Sequence, residues 1–146
     1  MNLFGVLDIN ASALTAERQR AEVVASNLAN AETTRTPGGG PYRREHVVFG
    51  TQRLRLGGFA RTLAGSRDLY ARGVRVERVV QDKTPPVRRF DPSHPDADAQ
   101  GYVAYPAINP IEEMVNLMGA ARAYEINVAA TQATKSMIAQ SIEILR

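Results

Sequence analysis

A chain of 146 residues is long enough for one ordinary domain, and the complete lack of cysteine excludes a disulfide framework and any cysteine-held metal. The formal net charge of +3 is unevenly laid out: residues 32–100 hold thirteen basic groups against eight acids, and each flank is slightly acidic. Those bases lie scattered among Glu45, Asp68, Glu77 and Asp82, which argues against a nucleic-acid surface, and no apolar run approaches the ~20 residues of a membrane span.

Met1–Asn10 has neither a basic start nor an apolar stretch, so no cleavable secretory signal is expected. The first helix is predicted to begin between Leu3 and Ser12, capped by Asp8, Asn10 or Ser12, and to run to about Ala31. Along it Leu7, Leu14, Ala21 and Leu28 recur every seventh residue, with Val24 and Ala31 in a second, imperfect register that also contains Asn10 and Glu17. The β-branched Thr33, Thr34 and Thr36, then Pro37 and Gly38–Gly40, cannot continue a helix. The glycine run lacks the Lys-Ser/Thr that a phosphate-binding loop needs and reads as a hinge.

The stretch to residue 108 is expected to be β-rich. Gly73–Val79 alternates apolar and polar residues as a half-buried strand does, and Val47–Phe49 and Gly101–Tyr105 are weaker candidates. Lys83–Pro86 and Asp91–Pro95 read as turns or extended connectors. Thr51–Asp68, rich in charge and glycine without periodicity, is expected to be a loop ordered by partners.

Asp91, Ser93, His94, Asp96 and Asp98 contain the residue types of a hydrolase triad. Neighbours in one Pro-rich run cannot take the geometry of a triad built from distant segments. As a calcium loop, Asp96, Asp98, Gln100 and Gly101 occupy plausible positions, but position twelve is Ala107, where a bidentate Glu is needed. Two histidines, His46 and His94, without an HExxH pattern make a poor zinc site. The run is read as a connector whose Asp side chains fix turns, and neither a cofactor nor an enzymatic activity is expected.

The second helix carries the clearest start signal. Asn109 is positioned to cap it, Pro110 suits the first helical position and Glu112 falls where a capping-box acid sits. From Ile111 to Arg146 there is no proline, so the helix spans roughly 54 Å at ~1.5 Å per residue, too long to hide in a globule of this size. Met114, Ala121, Val128, Lys135 and Ile142 make one seven-residue register, and Leu117, Tyr124, Thr131, Ile138 and Leu145 make another. Met118, Ala129, Ala130, Ala133 and Met137 widen the apolar surface beyond one seam, which favours assembly with other chains.

These elements imply an α+β chain: long N- and C-terminal helices in a coiled-coil-like pair, at residues 1–36 and 109–146, with a small β-rich domain at 37–108 between them. The residues alone support a structural subunit. The competing class is a cytoplasmic helical adaptor whose Arg-rich loops bind an acidic partner or nucleic acid, a complex that salt would weaken steeply.

Ala25-Ser26-Asn27-Leu28-Ala29-Asn30-Ala31-Glu32-Thr33-Thr34 is similar to the segment that ends the first helix of bacterial flagellar rod and hook proteins. Ala123-Tyr124-Glu125, followed by Asn127, resembles the tail-helix motif of the same family. Gly39–Arg44, Asp91-Pro92-Ser93-His94-Pro95-Asp96-Ala97-Asp98 and Gly101–Pro106, with Tyr102 and Tyr105, resemble its proximal-rod members; Gly50–Arg72 is the least familiar stretch. The resemblance implies that the terminal helices pair into an inner coiled coil lining a hollow tube and that the β-rich part faces outward. It also implies export through the flagellar type III apparatus and assembly in the periplasm. The implied partners are further copies, other rod subunits, and membrane-ring and adaptor proteins at the rod base, with no nucleic acid and no direct membrane span. The assembly interface is then expected at Leu7, Leu14, Ala21, Val24, Leu28, Met114, Leu117, Ala121, Tyr124, Val128, Ile138, Ile142 and Leu145. Asn27 and Asn30 are expected to hydrogen-bond where the chain turns outward.

Overall fold

A computed structural model describes residues 3–53 and 72–144. Most of the Thr51–Asp68 loop, and Leu145, lie outside those residues. Helix α1 spans Leu3–Ala29, built from Ala and straight-chain Arg, Gln and Glu that lose little rotamer freedom in a helix. It starts at the early edge of the expected window, so Asp8, Asn10 and Ser12 are interior residues and not caps. Ser12 Oγ donates to Ile9 O at 2.7 Å and accepts the Val74 N–H at 3.0 Å, which ties the helix to a strand. Beyond α1 the expected hinge is a hydrogen-bonded turn. The Thr36 N–H donates to Gly40 O and the Gly39 N–H to Thr36 O, both at 2.9 Å, with φ of 84° at Gly39 and 74° at Gly40. Two successive residues with positive φ require glycine.

Strands β1 (Glu45–Arg53) and β2 (Arg72–Gln81) pair antiparallel from Glu45↔Gln81 to Arg53↔Arg72. A bulge interrupts them: Val48 faces Arg78 and Phe49 faces Val76, leaving Glu77 as the extra residue. Strands β3 (Val87–Phe90) and β4 (Tyr102–Tyr105) form a second antiparallel pair, Val87↔Tyr105 to Phe90↔Tyr102. All four residues of β3 are exposed, so it lacks the alternation by which strands are read from sequence.

Helix α2 runs Pro110–Ile144. Asn109 caps it, its Oδ1 accepting the Ile111 N–H at 3.1 Å. Glu112 serves a different purpose from the capping-box role expected of it, since its Oε1 accepts from Arg44 Nη2 at 3.0 Å. Of these elements α2 packs on α1 alone, and α1 lies between α2 and the β1–β2 pair. Asn27, near the end of α1, touches Glu113, near the start of α2, so the extended contact between the helices is antiparallel. Counting equal rise from that contact, Leu3 lies level with about residue 137, and the last turns of α2 project past the start of α1.

The core is thin. Among the described residues the buried apolar side chains are Ala16, Val24, Val103, Pro106 and Ala120, while Ile111, Val115, Ile126, Ile142 and Phe90 are each more than half exposed. No described helix is long and apolar enough to cross a membrane.

Candidate functional site

The seam by which α2 meets α1 contains Glu113, Ala120, Asn127 and Thr134 at intervals of seven, with Asn116, Ala123 and Ala130 between them, all buried or half-buried. Opposite them α1 buries Ala16, Val24 and Asn27. Most of these residues are small, which lets the helices approach closely. Two of the polar ones satisfy themselves within α2: Asn127 Nδ2 donates to Ala123 O and Thr134 Oγ1 to Ala130 O, both at 2.8 Å.

This seam lies one residue, about 100°, from the register Met114, Ala121 and Val128 named in the sequence. The small residues there let the backbones approach closely, and the flanking side chains sit at the edges of the contact or outside it. Met114, Ala121, Tyr124 and Ile142 are therefore exposed in the isolated chain, and Leu117, Val128 and Ile138 are half-buried. On α1, Leu7, Leu14, Ala21, Leu28 and Asn30 are half-buried, whereas Val24 and Asn27 are buried. The opposite face of α2 carries Ile111, Val115, Met118 and Ile126, exposed by 72, 58, 56 and 69 %. Steps of four, three and eight residues keep those four on one side, so α2 is apolar on two opposed faces.

A polar junction sits where α1 ends, β1 begins and α2 begins. Asn27 Nδ2 donates to Glu45 O at 2.8 Å and to Glu113 Oε2 at 3.2 Å. Its Oδ1 accepts from the Glu45 N–H at 2.9 Å and from Tyr42 Oη at 3.1 Å. Glu113 is 1 % exposed, and its other oxygen accepts a short hydrogen bond from Arg44 Nη2. Burial disfavours charge on Arg44, but the hydrogen bonds it donates to Glu112 and Glu113 and their negative charge outweigh it, so its pKa is raised. Asn30 closes the helix end nearby, Nδ2 donating to Ser26 O at 2.9 Å and Oδ1 accepting from Thr33 Oγ1 at 3.1 Å.

Sequence reasoning placed Asn27 here but missed Arg44 and Glu113. A usable signal existed: Glu113 is in seven-residue phase with Ala120, Asn127 and Thr134.

The Asp91–Asp98 run joins β3 to β4, and its polar atoms fix turns. Asp91 Oδ1 accepts from Ser93 Oγ at 2.7 Å, a bond that leads the lowering of the Asp91 pKa. Asp98 Oδ1 accepts the N–H groups of Gln100 and Tyr102 at 3.0 and 2.8 Å, and its Oδ2 accepts from Arg88. His94 Nδ1 accepts the Asp96 N–H at 3.1 Å, and Asp96 Oδ2 accepts from Thr34 Oγ1 at 2.8 Å, anchoring the loop to the chain beyond α1. Gly101 has φ of 81°, and a Cβ there would lie 3.0 Å from the Phe90 ring, which stacks edge-on against Tyr102. Pro92 and Pro95 are exposed, and Tyr105 meets the His94 ring edge-on. Among the described residues no group of three or more His, Asp or Glu is placed to hold a metal ion.

Comparison with known proteins bears on both ends and on the whole. Residues 7–35 match the family model described as flagella basal body rod protein, and residues 99–144 the one described as flagellar basal body rod FlgEFG protein C-terminal. Over its whole length the chain is 38 % identical to flagellar basal-body rod protein FlgC of Borreliella burgdorferi, covering 99 % of that protein. The FlgC proteins of Bacillus subtilis and Salmonella typhimurium are 38 and 35 % identical, each aligned over 99 % of this chain and over 99 and 98 % of their own.

Proposed function

Since the chain belongs to the family of flagellar basal-body rod protein FlgC, and is therefore a structural subunit of the flagellar rod and not an enzyme, we propose that it polymerises through its terminal helices into the proximal rod. Its partners are other flagellar rod and basal-body proteins. In finer detail, these are further copies of itself, neighbouring rod subunits, and the ring and adaptor proteins at the rod base. The helical parts at 1–36 and 109–146 form the inner wall of a hollow shaft, and residues 37–108 face outward. The chain reaches the periplasm unfolded through the flagellar type III apparatus, and the finished rod transmits torque and conducts later subunits.

One observation carries this reading: α2 is apolar on two opposed faces and covers only one of them within the chain. A second apolar stripe on a helix calls for a second partner to cover it. Full burial of an exposed Val, Ile or Met side chain contributes about 1.5–3 kcal/mol, so the surface that Ile111, Val115, Met118 and Ile126 still expose offers roughly 4–8 kcal/mol together. Association costs roughly 4–15 kcal/mol. A single such contact is marginal; a lattice in which every subunit has several neighbours is stable. Head-to-tail contacts that do not close produce that lattice as a helical filament.

The test is Ile126→Asp, which places a charge on the outward face without touching the seam. The purified variant should keep the parent's helix content by circular dichroism, and cells carrying it should lack rods and fail to swim. Normal basal bodies and normal swimming would overturn the proposal.

A further inference from the structure

We propose that Asn27, Arg44 and Glu113 form a register lock: the one feature that tells α1 and α2 which of several nearly equivalent antiparallel alignments to adopt. The need for a lock follows from the seam. Glu113, Ala120, Asn127 and Thr134 repeat every seven residues, and Asn127 and Thr134 satisfy their own polar groups within α2, so they are indifferent to what α1 presents. Ala16, Ala120, Ala123 and Ala130 are small and alike. A seam of this kind tolerates displacement by one heptad, about 10 Å along the axis.

Among the described residues a single side-chain hydrogen bond crosses from α1 to α2, and it joins Asn27 to Glu113. A one-heptad slip would bring Ala120 level with Asn27 and separate Glu113 from Arg44 and Asn27, leaving a buried carboxylate without its partners. Arg44 is fixed in place because the chain beside it is held: the Glu45 N–H and C=O both bond the Asn27 amide, and the Arg44 carbonyl accepts the Asp82 N–H at 2.7 Å. The β1–β2 pair therefore enters the alignment of the helices. Buried ionic groups contribute little net stability but penalise every arrangement in which they are unpaired. The lock also decides where along α1 the outward side chains of α2 are carried; the importance of that spacing rests on the rod reading, whereas the lock is a property of the isolated chain.

The chain has no cysteine, so spin labels can be placed on single introduced cysteines without background. Labels at the exposed positions Glu22 and Gln140, on α1 and α2 and offset by about 33 Å along the helix axis, read the alignment by pulsed electron resonance on full-length chain diluted with unlabelled protein. The parent should give one distance. The combined variant Asn27→Leu, Arg44→Met, Glu113→Leu should keep its helix content, at a lower midpoint of unfolding, and give a second population displaced by about 9 Å. A single unchanged distance in that folded variant overturns the lock and leaves the rod reading intact. Should the triple variant fail to fold, Glu113→Gln decides: a second distance supports the lock, and an unchanged single distance overturns it.

Discussion

An amide side chain offers two donor hydrogens and two acceptor lone pairs, and Asn27 uses all four on Glu45, Tyr42 and Glu113 while 1 % exposed. Truncation removes one hydrogen bond from buried Glu113, one from half-buried Tyr42 and two from the half-buried Glu45 backbone. Asn27→Ala should therefore cost about 2–4 kcal/mol, read as a lower midpoint in chemical denaturation. Asp91 gives a pH dependence. The Ser93 hydroxyl, first, holds its carboxyl below the ordinary value of 3.8. A folded value below the unfolded one means that this contribution is present above pH 3.8 and lost as pH falls through the lower folded value. Titration followed by the Asp91 carboxyl resonance should show a midpoint below 3.8 that moves upward in Ser93→Ala. At this scale the sequence revealed residue types but not long-range pairs. Asn27 stood out as a polar residue in an apolar helix, and the Asp-rich run as a set of turns. Arg44 and Glu113 lie 69 residues apart, and only the fold brings them together.

Helices α1 and α2 were legible because periodicity and capping are local. Asn109 and Pro110 mark the start of α2 where it occurs, and the Thr-Pro-Gly run ends α1 near its observed limit. Which face of α2 meets α1 was not legible, since both candidate stripes are apolar and the choice depends on how closely the backbones approach. Ala120 is fully buried at that approach. Ala120→Leu should overpack the seam and cost about 1–3 kcal/mol, measurable as a fall in thermal midpoint, whereas Ala121→Leu on the exposed side should leave it within experimental error. Strand β3 escaped sequence reading for a different reason. Val-Arg-Arg-Phe has no alternation to detect, because all four side chains face water and β4 alone holds the strand. The fit of Gly73 was also invisible beforehand. A Cβ there would lie 2.5 Å from Ser12 Oγ, so this glycine permits the close approach of β2 to α1.

Across the described residues, two long helices pair over a core of very few buried apolar residues, with two small two-stranded sheets attached on the side of α1 away from α2 or through loops. Two-stranded sheets have little stability of their own. Here one is held by α1 and the other by the Thr34–Asp96 contact and its own turns. Such a chain presents more apolar helix surface than it can cover, which is the condition expected of a subunit that completes its packing among neighbours. The most direct measurement uses Ile126→Cys, the chain's only thiol, in a strain otherwise normal. A water-soluble maleimide should label that thiol rapidly in the purified chain and at least tenfold more slowly in isolated basal bodies. Equal labelling rates in the free chain and in the assembled rod would contradict burial of the outward face of α2.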